Sequence, residues 1–279
     1  MMLTRATSHP THSKTLGICV LLVGSALSAF AQTNAAGAPG RIPRLTDGHP
    51  NLNGIWQTIN TANIDLLDHA SKQSPVVEMG ALGAEPGGPT VVEGGVLPYK
   101  PEALAKKKKN AENRMALDPE VRCYLPGVPR ATYMPYPFQI FHSTKAIAIA
   151  YQYDGAFRNI ALKDPGPAPI DTWMGQSWGK WEGDTLVVDV TGLDERTWFD
   201  RAGDFHSDAL HVVERYTLVS PVMINYEATI EDSNVFTKSW KISMPLFKHT
   251  EKNARLMDFK CVEFVEDLMY GQFSKKPTK

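Results

Sequence analysis

The stretch Trp198-Phe199-Asp200-Arg201-Ala202-Gly203-Asp204-Phe205-His206-Ser207-Asp208-Ala209-Leu210-His211 gathers acid, base, imidazole and aromatic groups into fourteen consecutive residues. Histidine is the natural proton-transfer group near neutral pH. Asp200 or Asp208 could orient His206, and Arg201 could hold an anionic group or a developing enolate. The expected catalytic set is therefore His206, His211, Asp200 and Arg201. The competing reading of the same residues is a polar loop closed by its own hydrogen bonds, with Asp and Ser capping turns.

Beyond it, His211, Val213 and Arg215 share one face of a strand and Val212, Glu214 and Tyr216 the other. A glutamate on that second, apolar face needs a partner such as an arginine. Asp171 and Asp189 flank a Trp-rich hairpin, and Asp189 lies among Val187, Val188 and Val190, where burial raises a carboxyl pKa unless a donor pairs with it. Trp173, Trp178, Trp181 and Trp198 could stack on a ring-shaped ligand or simply pack the core. Trp173, Trp178, Trp198, Asp171 and Asp189 thus form the expected ligand-binding set. The spacing of His206 and His211 fits neither a helical His-x3-His pair nor alternating strand ligands, and His49 and His142 could join them only through tertiary folding. No cofactor is therefore expected, and a metal held by these histidines is the alternative. The chain has no Gly-x-Ser-x-Gly elbow, no GxGxxG or P-loop and no His-Glu-x-x-His, so nothing indicates a serine hydrolase, a nucleotide enzyme or a zincin.

These residues need a scaffold, and the pattern predicts a β-rich one. The first fourteen residues carry Arg5 and Lys14 and no acid, Leu16 to Phe30 is apolar, and Ala29-Phe30-Ala31 supplies a small-x-small ending. Those are the three parts of a cleavable export signal, and the run is short of the roughly 20 residues a bilayer span needs. Residues 1–31 read as signal, 32–44 as a loose leader, and 45–279 as one domain. The whole chain carries 29 basic and 30 acidic residues; loss of Arg5 and Lys14 makes the remainder slightly more acidic, which gives no reason to expect nucleic acid as a partner. No later segment is apolar enough to span a membrane. Cys123 and Cys261 remain after cleavage, and in an oxidising compartment an even pair is readily a disulfide; two buried free thiols are the alternative.

Residues 80–100 read as a Gly/Pro-rich loop and 101–116 as a helix, opened by Pro101 and Glu102. Lys106 to Lys109 wrap around that helix and predict a solvated surface. Short strands follow: 138–142, 146–153, 157–162, 173–181, 185–191, 211–219, 223–231, 236–245 and a final segment at 259–265. Asp154-Gly155 and Glu182-Gly183-Asp184 mark hairpin turns. This spacing predicts an all-β, mainly antiparallel sandwich or barrel with one helix and a long loop before most of it.

Three blocks resemble a widespread family of exported bacterial proteins of about this length, a family with no generally assigned function. They are Asp47-Gly48-His49-Pro50 with Leu52, Gly54 and Trp56; Trp173-Met174-Gly175 through Trp181-Glu182-Gly183-Asp184-Thr185-Leu186-Val187-Val188-Asp189; and Thr197-Trp198 through His206-Ser207 to Leu210-His211-Val212-Val213-Glu214-Arg215. Arg122-Cys123 and Pro129-Arg130 belong with them. The resemblance implies export and a shared fold rather than an activity. Gly54-Ile55-Trp56 is also similar to the Gly-x-Trp of the first strand in lipocalin-like barrels. That similarity implies an indole closing one end of a barrel whose interior is a ligand cavity. The expectation for function is binding of a small, partly apolar molecule, aromatic or terpenoid, extending to cofactor-independent acid–base chemistry of the isomerase, lyase or cyclase type. The alternative is a non-catalytic envelope carrier or protein-interaction module.

Overall fold

Nine strands, most of them with alternating burial, close the chain into a lipocalin-like, all-β barrel in the order β1 to β9. The structure, a computed structural model, describes residues 40–73 and 77–270, all within one compact unit; the expected signal and most of the expected leader lie outside the described residues. The strands are β1 (Gly54–Gln57), β2 (Phe138–His142), β3 (Ile147–Tyr151), β4 (Phe157–Ala161), β5 (Gln176–Glu182), β6 (Thr185–Thr191), β7 (His211–Ser220), β8 (Met223–Glu231) and β9 (Trp240–Lys248). Every neighbouring pair is antiparallel except β4 and β5, which run parallel through Ile160 opposite Ser177 and Ala161 opposite Trp178. The Pro-rich connection between those strands crosses back to the same end of the barrel instead of turning a hairpin.

The expected single helix is four short ones among the described residues: α1 (Pro101–Glu112), α2 (Arg114–Leu117), α3 (Arg130–Tyr133) and α4 (Val265–Tyr270). Asn113 leaves the helical region at φ −116° and ψ 26°, which separates α1 from α2 within the predicted 101–116. The segment 259–265 forms no strand. The chain after β9 instead runs back along the barrel, with the Met257 N–H donating to Gln152 Oε1, before α4 begins. Cys123 and Cys261 are bonded, with Cα atoms 5.6 Å apart across a sequence separation of 138. No helix among the described residues is long and apolar enough to cross a membrane.

The barrel is filled by its own side chains. In β7, Val212, Glu214, Tyr216 and Leu218 point inward and the intervening residues outward, as the pleat dictates. Trp56, Phe138, Ile140, Tyr226 and Ile242 fill facing positions and are 0–2% exposed. The Arg158 guanidinium, on β4, meets Glu214 in this interior, Nη2 to Oε2 at 2.6 Å. The Tyr216 and Tyr226 hydroxyls donate to Glu214 Oε1 at 2.9 and 2.8 Å, and Arg158 also donates to Ser177 Oγ. Glu214 thus has the arginine partner its apolar face requires.

One end is closed by residues 44–53. His49 stacks on Trp181 at 4.6 Å, His142 lies over the same indole, and Arg44 binds Asp184. The first two sequence blocks meet here. Trp56 Nε1 donates to the Leu52 carbonyl, and Lys248 of β9 lies over the Trp56 ring while its Nζ donates to the Asn53 carbonyl. That lysine explains the glycine two positions before the tryptophan: Gly54 has φ +148°, and a Cβ there would stand 2.3 Å from Lys248 Cε.

The other end is covered by the long insertion between β1 and β2. β1 is much shorter than β9, and the edge of β9 that it leaves unpaired is taken by Val91 and Val92, with Ser243 N–H donating to the Val91 carbonyl and Val92 bridging Ile242.

Candidate functional site

The stretch rich in chemistry, 197–207, folds as a buried hairpin between the barrel end and that insertion. Trp198 bridges Phe205, and the Phe199 N–H donates to the Asp204 carbonyl at 2.7 Å. Thr197, Phe199, Asp200, Asp204 and His206 are all 0–1% exposed. The hairpin is pinned from above: Arg201 N–H donates to the Asn63 carbonyl, Tyr133 Oη to the Phe199 carbonyl, and Leu66 N–H to Asp200 Oδ2. Gly203 lets α1 sit directly on it, since at φ +87° a Cβ would come within 2.8 Å of the Lys107 carbonyl oxygen. The stretch is therefore an internal plug and not an open loop.

The four residues of the expected catalytic set separate into three environments. His206 Nδ1 faces the Ser207 carbonyl at 2.8 Å and Nε2 faces Thr197 Oγ1 at 2.6 Å. A carbonyl only accepts, so Nδ1 carries a proton. Burial pushes the His206 pKa down and keeps the ring neutral. His211 stands on the outward face of β7, its Nε2 3.0 Å from Asp189 Oδ2 and its Nδ1 3.2 Å from Glu231 Oε2. The two histidines do not share a cavity. Asp189 points outward into this pair, not into the run of valines. Burial lowers the His211 pKa, but the hydrogen bonds and charges of the two carboxylates outweigh it and raise it overall.

These opposite shifts make opposite contributions to stability. His206 binds its proton more readily when unfolded, so acidification below about pH 6.5 destabilises the fold through it. His211 holds its proton better when folded; its contribution is complete below about pH 6.5 and is lost as pH rises through the folded pKa. Urea midpoints measured across that window should fall less steeply toward acid in His206→Gln and less steeply toward alkali in His211→Gln. An acid limb unchanged by His206→Gln would mean that the ring takes up its proton as readily in the fold as in the unfolded chain.

Asp200 belongs to a second environment. Its Oδ1 accepts the Asp204 N–H at 3.1 Å, and oxygens of Asp65, Asp200 and Asp204 lie within 4.8 Å of one another. Asp204 Oδ1 takes the Tyr99 hydroxyl at 2.8 Å and Lys107 Nζ at 3.0 Å, while its Oδ2 has no hydrogen-bond donor. Burial, and then the Asp204 carboxylate, drive the Asp200 pKa far up. The Tyr99 hydroxyl and Lys107 meet the same oxygen of Asp204. One lysine thus stands beside three carboxylates, and its ion pair is with Asp204. Lys107 does not lie on a solvated surface as the run of four lysines predicts; it turns inward to Asp204, and Lys106 covers the Phe205 ring.

Arg201 belongs to the third. Its Nε and Nη2 bind Glu120 Oε2 and Oε1 at 2.8 and 2.6 Å. Behind them Arg130, 1% exposed, donates to Asp118, to Glu120 Oε2 at 2.7 Å and to Asn63 Oδ1. Burial would raise the Glu120 pKa, but Arg201 and then Arg130 outweigh it and hold the carboxyl well below the usual range.

This last network opens on a cleft of about 230 Å³ outside the barrel wall. Its aromatic side is Tyr136, Tyr153 and Phe259, with ring centroids 4.7 Å apart for Tyr136–Phe259 and 5.2 Å for Tyr153–Phe259. Arg114, Glu120, Arg201 and Lys260 supply its charges. One wall, residues 259–262, is tied to the other by the Cys123–Cys261 bond. Apart from Arg201, the sequence reading missed this group, which comes from segments far apart in the chain; the cysteine pair was the signal that could have joined two of them.

The expected ligand set does not converge. Trp173 packs on Tyr124 under Arg196, Trp178 faces outward on β5, Trp198 is buried in the plug, and Asp171 is exposed. His49 and His142 lie at the far end with Trp181. No family model, no curated protein and no solved structure matches the chain.

Proposed function

We propose that this chain is an exported binding protein that carries a small, partly apolar molecule in the cleft beside Arg201, outside the barrel. The observation that carries the reading is the convergence of Tyr136, Tyr153 and Phe259 on an open volume bordered by fixed charges. Concave sites with an apolar lining and a few placed polar groups are where small ligands bind. The interior of the barrel, by contrast, is occupied by Trp56, Phe138, Tyr216, Tyr226 and the Arg158–Glu214 pair. An address outside the cytoplasm is supported by the leader pattern and by the Cys123–Cys261 bond.

The same geometry favours a carrier over an enzyme. Glu120 is held ionised, and burial raises the Tyr136 and Tyr153 hydroxyls above their ordinary range. None of the three exchanges a proton readily near neutral pH, as general acid–base catalysis requires. Titration calorimetry of the exported form against single-ring compounds tests this. Binding should weaken about tenfold in Phe259→Ala and in Tyr136→Ser, a loss of about 1.4 kcal/mol, with the bound compound recovered unchanged. Binding indifferent to both substitutions would remove the cleft from consideration, and chemical conversion of the compound would replace the carrier reading with an enzymatic one.

A further inference from the structure

We infer that the outer face of β2, β3 and β4 docks a second copy of this chain, the two copies of β3 running antiparallel about a twofold axis. Three features carry it: a face without charge, the order of large and small side chains across it, and the charges in its two turns.

Two rows of side chains cross this face. Gln139, Ala150 and Phe157 are register neighbours in one, and Phe141, Ala148 and Asn159 in the other. None of the six is charged, and Phe141 and Phe157 are 47% and 58% exposed. The outer face of β7 and β8 is of another kind, with His211, Arg215, Glu227 and Glu231. An uncharged, partly aromatic patch on a barrel charged elsewhere marks an interaction surface.

The two rows are related by a half-turn. One reads amide, alanine, phenylalanine; the other reads phenylalanine, alanine, amide. A patch that meets itself across a twofold axis must complement itself, and this one does. In an antiparallel, face-to-face arrangement each row meets the opposite row of the second copy. Phenylalanine then falls on amide and alanine on alanine. No large ring meets a large ring, and the centre is small enough for the sheets to close. Packed sheets keep their strand directions within about 30° of each other, as this arrangement does.

The turns choose the axis. Lys145 precedes β3 and Asp154 follows it, at opposite ends of the face and about 30 Å apart. Both are exposed, and neither is in an ion pair among the described residues. An axis across the strands brings Lys145 of each copy to Asp154 of the other. An axis along the strands also sets phenylalanine on amide, but it opposes lysine to lysine and aspartate to aspartate. Three strands of that length offer about 400 Å², half of what each partner buries in a standard interface. The dimer is therefore weak and reversible.

Sedimentation equilibrium of the exported form, from micromolar to millimolar protein, tests this. The mass should rise with concentration toward that of a dimer. Phe141→Ser/Phe157→Ser should weaken association about tenfold or more, with an unchanged circular dichroism spectrum. Lys145→Glu should weaken it about threefold, and adding Asp154→Asn should recover part of that loss by removing the like charge it meets. Asparagine suits the φ of +49° at that position. A monomer throughout the range would overturn the proposal, and so would a dimer indifferent to the loss of both rings. If that monomer bound phosphatidylcholine vesicles through the same two rings, the face would belong to a lipid surface instead. A ring-dependent dimer in which Asp154→Asn brings no recovery would overturn the antiparallel arrangement.

Discussion

Glu214→Ala should cost the fold about 3–5 kcal/mol, the range for breaking a buried ion pair by removing one partner. The reason lies in what remains. Arg158 is 3% exposed and cannot give up its proton, so it keeps a full charge inside the barrel with only Ser177 Oγ and the Tyr151 hydroxyl for partners. The Tyr216 and Tyr226 hydroxyls lose their acceptor at the same time. Domains are stable by only about 5–15 kcal/mol in total, so the variant should unfold at a far lower urea concentration. Arg158→Met/Glu214→Leu should recover part of the loss, because apolar residues of similar volume often replace a buried pair without penalty, and the two orphaned hydroxyls account for the part not recovered. A loss below about 1 kcal/mol in the single variant would show that water reaches Arg158.

The second large effect is expected from the disulfide. For a separation of 138 residues, the chain-entropy model assigns about 5 kcal/mol to the Cys123–Cys261 cross-link. Cys123→Ser/Cys261→Ser should lose a stability of that order when unfolding is compared with the oxidised wild type. It should also lose something that a purely entropic effect would leave intact. The bond ties residues 259–262 against the segment around Glu120, so the double variant should become susceptible to proteolysis after β9 under conditions where the barrel itself is folded. Equal protection of that segment in both forms would mean that Phe259, packed on Tyr136 and Tyr153, holds the wall alone.

The two effects also mark how far the chain could be read from its residues. Strands were legible where one face is buried and the other wet: 138–142, 185–191 and 223–231 were placed to the residue, because alternation and the turn pairs Asp154-Gly155 and Gly183-Asp184 act locally. The need of Glu214 for an arginine was legible too, but its partner, on β4, is 56 residues away, and only the register of the closed barrel selects it. Asn113, itself a weak helix former, interrupts a run that otherwise mostly favours a helix. The largest misreading concerned 197–207. Its composition suggests an accessible loop, and it is buried because Leu66, Asn63, Tyr133 and α1 close over it. Burial of that kind is decided by another segment and leaves no mark on the loop itself. The same holds for the cleft, where Tyr136, Tyr153 and Phe259 are unremarkable singly.

The pairing of β1 with β9 has a bearing on how the molecule comes to be folded. Strands β5 to β9 are successive hairpins and can assemble in order as a meander, whereas Trp56 meets Lys248 only after almost the whole chain is present. Contacts of such long range are made late, because loop closure must come before they reward it. A chain delivered from its N-terminus therefore carries β1 and the insertion behind it as waiting pieces, with Lys248 the clasp that arrives last. The barrel cannot lock until its final strand has joined the rest.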